Sequence, residues 1–309
     1  MASTLNAVTG TFGYTGKYIA RRLLTRGETV VTLTSKPDRS NEFGGLVKVF
    51  PYRFDSPELM AEALAGVRVL YNTYWVRFDR GDTTHQRAVA NTIAMIKAAR
   101  LAGVERIVHV SITNPDRNSS LPYFRGKALL EEEIRKSGLG YAIIRPAVVF
   151  GPEDILINNV AFLLRKMPAF LIPGAGQYRL QPIFVEDLAT IAVEAAAKSG
   201  DMVTDAVGPE QFSFDELVHV IARIVNSRAA VLHVPPSLAF LAAQMIGTFL
   251  GDVVLTRDEL TGLMANLLIS EAEPTGSTAL SPWLTANAST LGRTYASEVR
   301  RHYAGVTGG

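Results

Sequence analysis

Thr9-Gly10-Thr11-Phe12-Gly13-Tyr14-Thr15-Gly16 lies between a strand-like run, Leu5–Thr9, and a helical pattern over Lys17–Thr25. Glycine at every third position permits a tight turn and lets backbone N–H groups come close to an anion. The helix that follows turns the positive end of its dipole toward the same point. A glycine trio alone is a weak signal, since many loops use glycine for positive φ. Placed after a strand and before a helix, it reads as the phosphate-binding turn of a dinucleotide-binding βαβ unit. Gly10, Thr11, Phe12, Gly13, Tyr14 and Gly16 are therefore candidate cofactor-binding residues.

Working outward, the same rhythm continues. Thr29–Thr34, Val47–Phe54, Val67–Thr73, Arg106–Ser111 and Tyr141–Arg145 read as strands. Pro57–Ala65, His85–Ala102 and Tyr123–Ser137 read as the helices between them. Strands alternating with helices predict an α/β fold, a doubly wound parallel sheet. Beyond Gly151 the pattern loosens: helices are expected over Asn158–Arg165, Glu186–Ala197, Ser213–Val225, Ser237–Leu250, Arg257–Leu268 and Thr290–Tyr303, with a further strand over Asp201–Val207. The expected organisation is a nucleotide-binding domain over 1–150 plus about 176–207, and a smaller, mostly helical substrate domain over about 151–175 plus 208–309.

Composition narrows the function classes. The 309 residues carry 31 cationic and 29 anionic side chains, a surplus of 2 that does not suggest a nucleic-acid-coating protein. Cysteine is absent and only five histidines occur, so disulfide frameworks, thiolate nucleophiles and metal centres are not expected. No secretory h-region follows Met1, and a cytoplasmic location is expected. From Ala229 to Gly251 there is no charged residue, but Pro235, Pro236 and Gln244 interrupt the run. That segment is expected to be a buried or groove-lining helix, with membrane contact the less favoured alternative.

Two further places carry chemistry. After the second strand, Ser35-Lys36-Pro37-Asp38-Arg39 offers cations where a 2′-phosphate is read, whereas an NAD site wants an acid there. Lys36 and Arg39, with Ser35 as a hydrogen-bonding neighbour, thus favour NADP over NAD. Asp55, after the third strand, is placed for the adenine amino group, though its Asp-Ser-Pro context equally makes a turn. Asn72, near the end of the fourth strand, joins the cofactor set. Tyr123 and Lys127 are i and i+4 on one helix face. A nearby ammonium draws a phenol's pKa down, so such a tyrosine passes a proton to or from a substrate oxygen while hydride moves. Ser111 or Thr113, at the end of the fifth strand, is the candidate for orienting that oxygen.

These stretches together resemble the short-chain dehydrogenase/reductase superfamily, in its extended or atypical branch. The resemblance extends through Ala102–Ser111, Arg145-Pro-Ala-Val-Val-Phe-Gly-Pro152, Gln181–Ala189, and Gly208-Pro-Glu with Phe214–Leu217. Its last part is similar to the nucleotide-binding accessory subunit of respiratory complex I, and to NmrA-like and epimerase/dehydratase-like proteins. The resemblance implies that Gly10, Gly13 and Gly16 hold the pyrophosphate, that Tyr123 and Lys127 form the catalytic pair, with Lys127 also on the nicotinamide ribose, and that Pro146 to Val148 pass the nicotinamide. Extended members often place paired serines after the fifth strand; here the second position is Ile112.

The expected function is an NADP-preferring oxidoreductase acting on a small carbonyl or alcohol, an apolar one if the Ser237–Leu250 helix lines the site. A nucleotide-sugar epimerase or dehydratase, with Arg165, Arg179 and Arg257 for the diphosphate, is one alternative. A non-catalytic NADPH-binding sensor or assembly factor is the other. A monomer or homodimer is expected. His85, Asn91 and Lys97 read as a plain polar helix face, and Glu131, Glu132 and Glu133 as a solvated one.

Overall fold

The computed structural model describes residues 4–303; residues 1–3 and 304–309, including the opening Met-Ala-Ser, lie outside them. In chain order the first elements are β1 (Leu5–Thr9), α1 (Tyr14–Thr25), β2 (Thr29–Thr34), β3 (Val47–Pro51), α2 (Pro57–Ala63), β4 (Val69–Asn72), α3 (His85–Leu101), β5 (Arg106–Val110), α4 (Pro122–Lys136) and β6 (Gly140–Pro146). Then come β7 (Val149–Phe150), α5 (Leu156–Lys166), β8 (Ala169–Pro173), β9 (Arg179–Leu180), β10 (Ile183–Phe184), α6 (Val185–Ala197) and β11 (Met202–Ala206). The last are β12 (Phe212–Ser213), α7 (Phe214–Ile224), β13 (Ala230–Val234), α8 (Pro236–Leu250), α9 (Arg257–Met264) and α10 (Leu280–Ala286), with a π-helical turn over Val299–Tyr303.

The chain divides into two units: Met1–Pro146 with Val185–Ala206, and Ala147–Phe184 with Val207–Gly309. The first holds a seven-stranded sheet in the order β11-β6-β5-β4-β1-β2-β3. Every pairing is parallel, with Asn6 opposite both Val30 and Val69. Central strands of such a sheet are covered on both faces, which is why β2, β4 and β5 are almost wholly buried, polar residues such as Thr32, Asn72 and His109 included. The edge strands β3 and β11 are only half-buried. Strand order reverses between β1 and β4, and in doubly wound sheets the ligand crevice opens at the carboxyl ends of the strands flanking that reversal. The fold is the Rossmann-like one that the sequence predicts.

The second unit has its own core, built from α5, α7, α10 and short strands around Phe150, Leu180, Leu217 and Leu284. Three expectations fail here. The terminal helix over Thr290–Tyr303 is absent up to Val299, because the chain turns at Gly292 with φ +65°. A shorter helix, α10, forms upstream instead. The Ala229–Gly251 run is not one helix, since its first residues pair as β13 in parallel with β8, Ala230 opposite Ala169. Finally, α8 buries only Ala239 and Gly247, and it exposes Leu238, Leu241, Met245 and Phe249, the last at 91%. It is thus not a buried lining helix, and its apolar side chains do not mark an apolar substrate. Among the described residues, no helix is long and apolar enough to cross a membrane.

Candidate dinucleotide site and its buried polar cluster

The glycine turn is built by backbone contacts that leave no room for side chains. Gly10 has φ +65°, and its carbonyl accepts from Gly13 N–H at 2.7 Å. A Cβ on Gly16 would stand 2.5 Å from the Gly10 oxygen, closer than any real Cβ contact. Gly13 is the N-cap of α1, so no side chain caps the helix, and its first turn holds no acid. A cradle of bare backbone at an uncapped, acid-free helix N-terminus fits a pyrophosphate. Thr11 is buried and anchors the turn, donating its hydroxyl to Val8 O at 2.9 Å. Phe12 and Tyr14 are half-buried, with Tyr14 edge-on to Tyr18.

Thr32 was not among the residues singled out from sequence, yet it supports the turn from β2. Its hydroxyl donates to Val8 O at 2.7 Å and accepts from Thr11 N–H at 3.4 Å. A threonine inside an apolar strand was the available signal, since a buried hydroxyl needs a partner.

Asn72 ends β4. It is fully buried: its amide oxygen accepts from Thr9 Oγ1 at 3.1 Å and Tyr74 N–H at 3.1 Å, and its nitrogen faces His109 Nδ1 at 3.0 Å. Asn72 therefore ties β1, β4 and β5 together beneath the crevice. Burial, and then the charge of Lys127, push His109 well below the ordinary imidazole range, so it is neutral. Its Nδ1 accepts from Asn72, which leaves the hydrogen on Nε2.

Beyond β2, Ser35 is exposed, while Lys36 and Arg39 are half-buried in one turn, Arg39 N–H donating to Lys36 O at 3.2 Å. Partial burial, then the charge of Arg39, lowers the Lys36 pKa. Asp38 is exposed, and Asp55 sits on an exposed turn after β3.

At the other side of the crevice, Tyr123 and Lys127 lie on the first turns of α4. Tyr123 is edge-on to Trp75, with centroids 5.5 Å apart, and 5.8 Å from the His85 ring. Lys127 is 2% exposed; its Nζ donates to Val110 O at 2.7 Å and stands 4.5 Å above the Trp75 ring. Desolvation brings its pKa down to about 7, against a smaller upward pull from Glu131. Gly126 is needed between them, because a Cβ there would lie 2.8 Å from the Trp75 ring. Trp75 thus belongs with the Tyr–Lys pair, whereas Tyr74 packs against Tyr52 and Phe54 and takes a hydrogen bond from Asn91 at 2.8 Å.

The polar-face and solvated-face expectations also change. His85 is buried, its Nδ1 2.6 Å from Asp79; Lys97 alone of the three makes a surface pair, with Glu58 at 3.0 Å. Glu131 is 1% exposed rather than solvated. It receives Arg145 through Nε (2.9 Å) and Nη2 (2.6 Å), Arg135 at 2.9 Å and the Ser111 hydroxyl at 2.6 Å. Burial alone would raise its pKa, but these hydrogen bonds hold it below the ordinary carboxylate value. The Ser111 hydroxyl is accordingly directed at Glu131 and not at a substrate. Thr113 is buried, its N–H on Pro146 O at 3.0 Å. Pro146 ends β6, and Val148 is packed in the second unit's core.

In the second unit Arg165 donates to three carbonyls, Leu291, Val225 and Ala288, so it is a structural brace rather than a diphosphate ligand. Arg257 rests over the Phe240 ring, and Arg179 reaches Gln211 at the rim of a cavity of about 520 Å³.

Fold and turn together define a dinucleotide-binding protein. Residues 10–155 match a family model described as NAD(P)H-binding. Among curated proteins the chain is similar to the mitochondrial NADH dehydrogenase [ubiquinone] 1 alpha subcomplex subunit 9 of Arabidopsis thaliana, 23% identical over 85% of this chain and 70% of that one. It is also similar to photosystem II assembly factor Ycf39 of Cyanophora paradoxa, 24% identical over 76% of this chain and 72% of that one. Among solved structures it superposes on a nucleoside-diphosphate-sugar epimerase from Staphylococcus aureus, with TM-score 0.74, 17% identity, and 91% and 99% of the two chains covered. An NADPH-dependent quinone oxidoreductase from Escherichia coli gives TM-score 0.72, 19% identity, and 92% and 99% covered. The chain thus carries an NAD(P)H-binding region over residues 10–155 on a fold shared with reductases and epimerases.

Proposed function

We propose that the protein is an NADPH-preferring oxidoreductase that reduces a carbonyl or quinone group of a small molecule. The observation that carries this reading is the Tyr123–Trp75–Lys127 stack beside the carboxyl end of β5, with a buried amine one helical turn from a phenol. When bound, NADPH supplies a hydride. The chain's part is to hold the dinucleotide on the Gly10–Gly16 turn and to protonate the substrate oxygen from Tyr123 Oη. Lys127, once protonated, stabilises the phenolate left behind, and Trp75 keeps that amine out of water. Lys36 and Arg39 in one turn favour the cofactor with the extra phosphate, since two neighbouring cations set up a positive field that attracts that anion.

The test is NADPH oxidation against a panel of quinones and aromatic ketones. Wild type turns over at least one of them, and Tyr123→Phe loses at least about a hundredfold in kcat while binding NADPH as before. Equal turnover by the variant refutes the assignment of Tyr123.

A second reading, a non-catalytic NADPH-binding sensor or assembly factor, is favoured by one observation: the apolar stripe Leu238, Leu241, Met245 and Phe249 along exposed α8. It predicts that bound NADPH is scarcely released and that no acceptor in the panel oxidises it.

A further inference from the structure

The loop between β2 and β3 carries Lys36 and Arg39, and the residues just after them fasten it. Short-range hydrogen bonds run without a break from β2 to Phe43. Lys36 N–H donates to Thr34 Oγ1 at 3.1 Å and Arg39 N–H to Lys36 O at 3.2 Å. Asn41 Nδ2 donates to Arg39 O at 3.2 Å, and Phe43 N–H donates to Asn41 Oδ1 at 3.0 Å. Phe43 is 5% exposed, with its ring 6.4 Å from Phe12 in the glycine turn. Glu42, next door, forks onto Arg21 of α1: Nε meets one carboxylate oxygen and Nη2 the other, the latter at 2.6 Å. The hydrogen bonds from Arg21 hold the Glu42 carboxyl below its ordinary range, with a smaller contribution from the charge of Lys17.

We propose that Glu42 and Phe43 are positioning residues for cofactor discrimination, holding Lys36 and Arg39 as a pre-formed pair for the phosphate that distinguishes NADPH from NADH. This rests on the cofactor reading above. An exposed ion pair such as Arg21–Glu42 adds little to stability, so its effect lies elsewhere. Fixing the loop before the ligand arrives removes the entropy of ordering two long cationic side chains. The two physical contributions of Glu42 have opposite signs. On charge alone, an acid on a cationic loop weakens phosphate binding, and its removal strengthens it. As an anchor, its removal weakens binding.

The experiment is the Kd of NADPH and of NADH for the full chain and its variants. Glu42→Gln weakens NADPH by about threefold to tenfold and leaves NADH within about twofold. The reversed pair, Arg21→Glu with Glu42→Arg, keeps net charge and the fork, and recovers most of the NADPH affinity. Phe43→Ala shifts the ratio in the same direction as Glu42→Gln, and Phe43→Leu shifts it less. Unchanged or tighter NADPH binding in Glu42→Gln overturns the anchor while leaving the Lys36–Arg39 reading intact. A wild type that binds NADPH no tighter than NADH refutes that reading first, and this inference with it.

Discussion

Two buried ionisable side chains stand one turn apart on α4, and they are treated differently. Glu131 has four donors on its carboxylate, from Arg145, Arg135 and Ser111, and is held in its charged form. Lys127 is equally buried, yet it has one carbonyl and an indole face, and its charged form is disfavoured down to about pH 7. A fully satisfied buried charge is a structural fastener, here joining α4 to β6 and to the end of β5. A poorly satisfied one stays responsive to whatever arrives beside it. The difference separates the part of α4 that holds the sheet from the part that can do chemistry.

The largest expected effect comes from breaking the satisfied side. Arg145→Met leaves Glu131 buried without its main partner and costs about 3–5 kcal/mol, measured by denaturant unfolding. A loss below about 1 kcal/mol would show that Glu131 is not held by this pair. The next effect concerns Lys127 and has a definite sign. Its pKa falls from 10.5 to about 7 on folding, so between those values the unfolded chain carries the extra proton. Its contribution to stability therefore rises with pH from about 7 to 10.5, by up to about 1.4 kcal/mol per pH unit. Lys127→Met removes that rise, and the wild-type-minus-variant stability plotted against pH shows it directly; a flat difference contradicts the assignment. Ser111→Ala withdraws one of the donors to Glu131 and costs about 1–2 kcal/mol, without the selective loss of turnover expected of a substrate-binding hydroxyl. Lys97→Ala, which removes only the surface pair with Glu58, stays within about 0.5 kcal/mol of wild type.

Much of the first unit was legible because its code is local. The glycine turn, the apolar runs of β1, β2, β4 and β5, and the i, i+4 pairing of Tyr123 with Lys127 are all read within a few residues. Glu131 was not legible, since its partners Ser111 and Arg145 reach it only once β5, α4 and β6 are assembled. The same holds for Asn72, whose partners Thr9 and His109 lie on neighbouring strands. In the second unit, Ala230–Val234 is a short, largely exposed strand that merges into the apolar run of α8, and periodicity cannot tell so short a strand from part of a helix. The helix α10 hid behind Pro282, a breaker within a helix but tolerated in its first turn, where the missing N–H has no intrahelical partner anyway.

The contrast on α4 is tested most directly by titrating Lys127 itself, following its side-chain NMR signals in cofactor-free protein, with Lys127→Met to assign them. The expected midpoint is near 7, well apart from the surface lysines. A midpoint near the ordinary lysine value of about 10.4 would contradict it and make Lys127 a fastener like its neighbour.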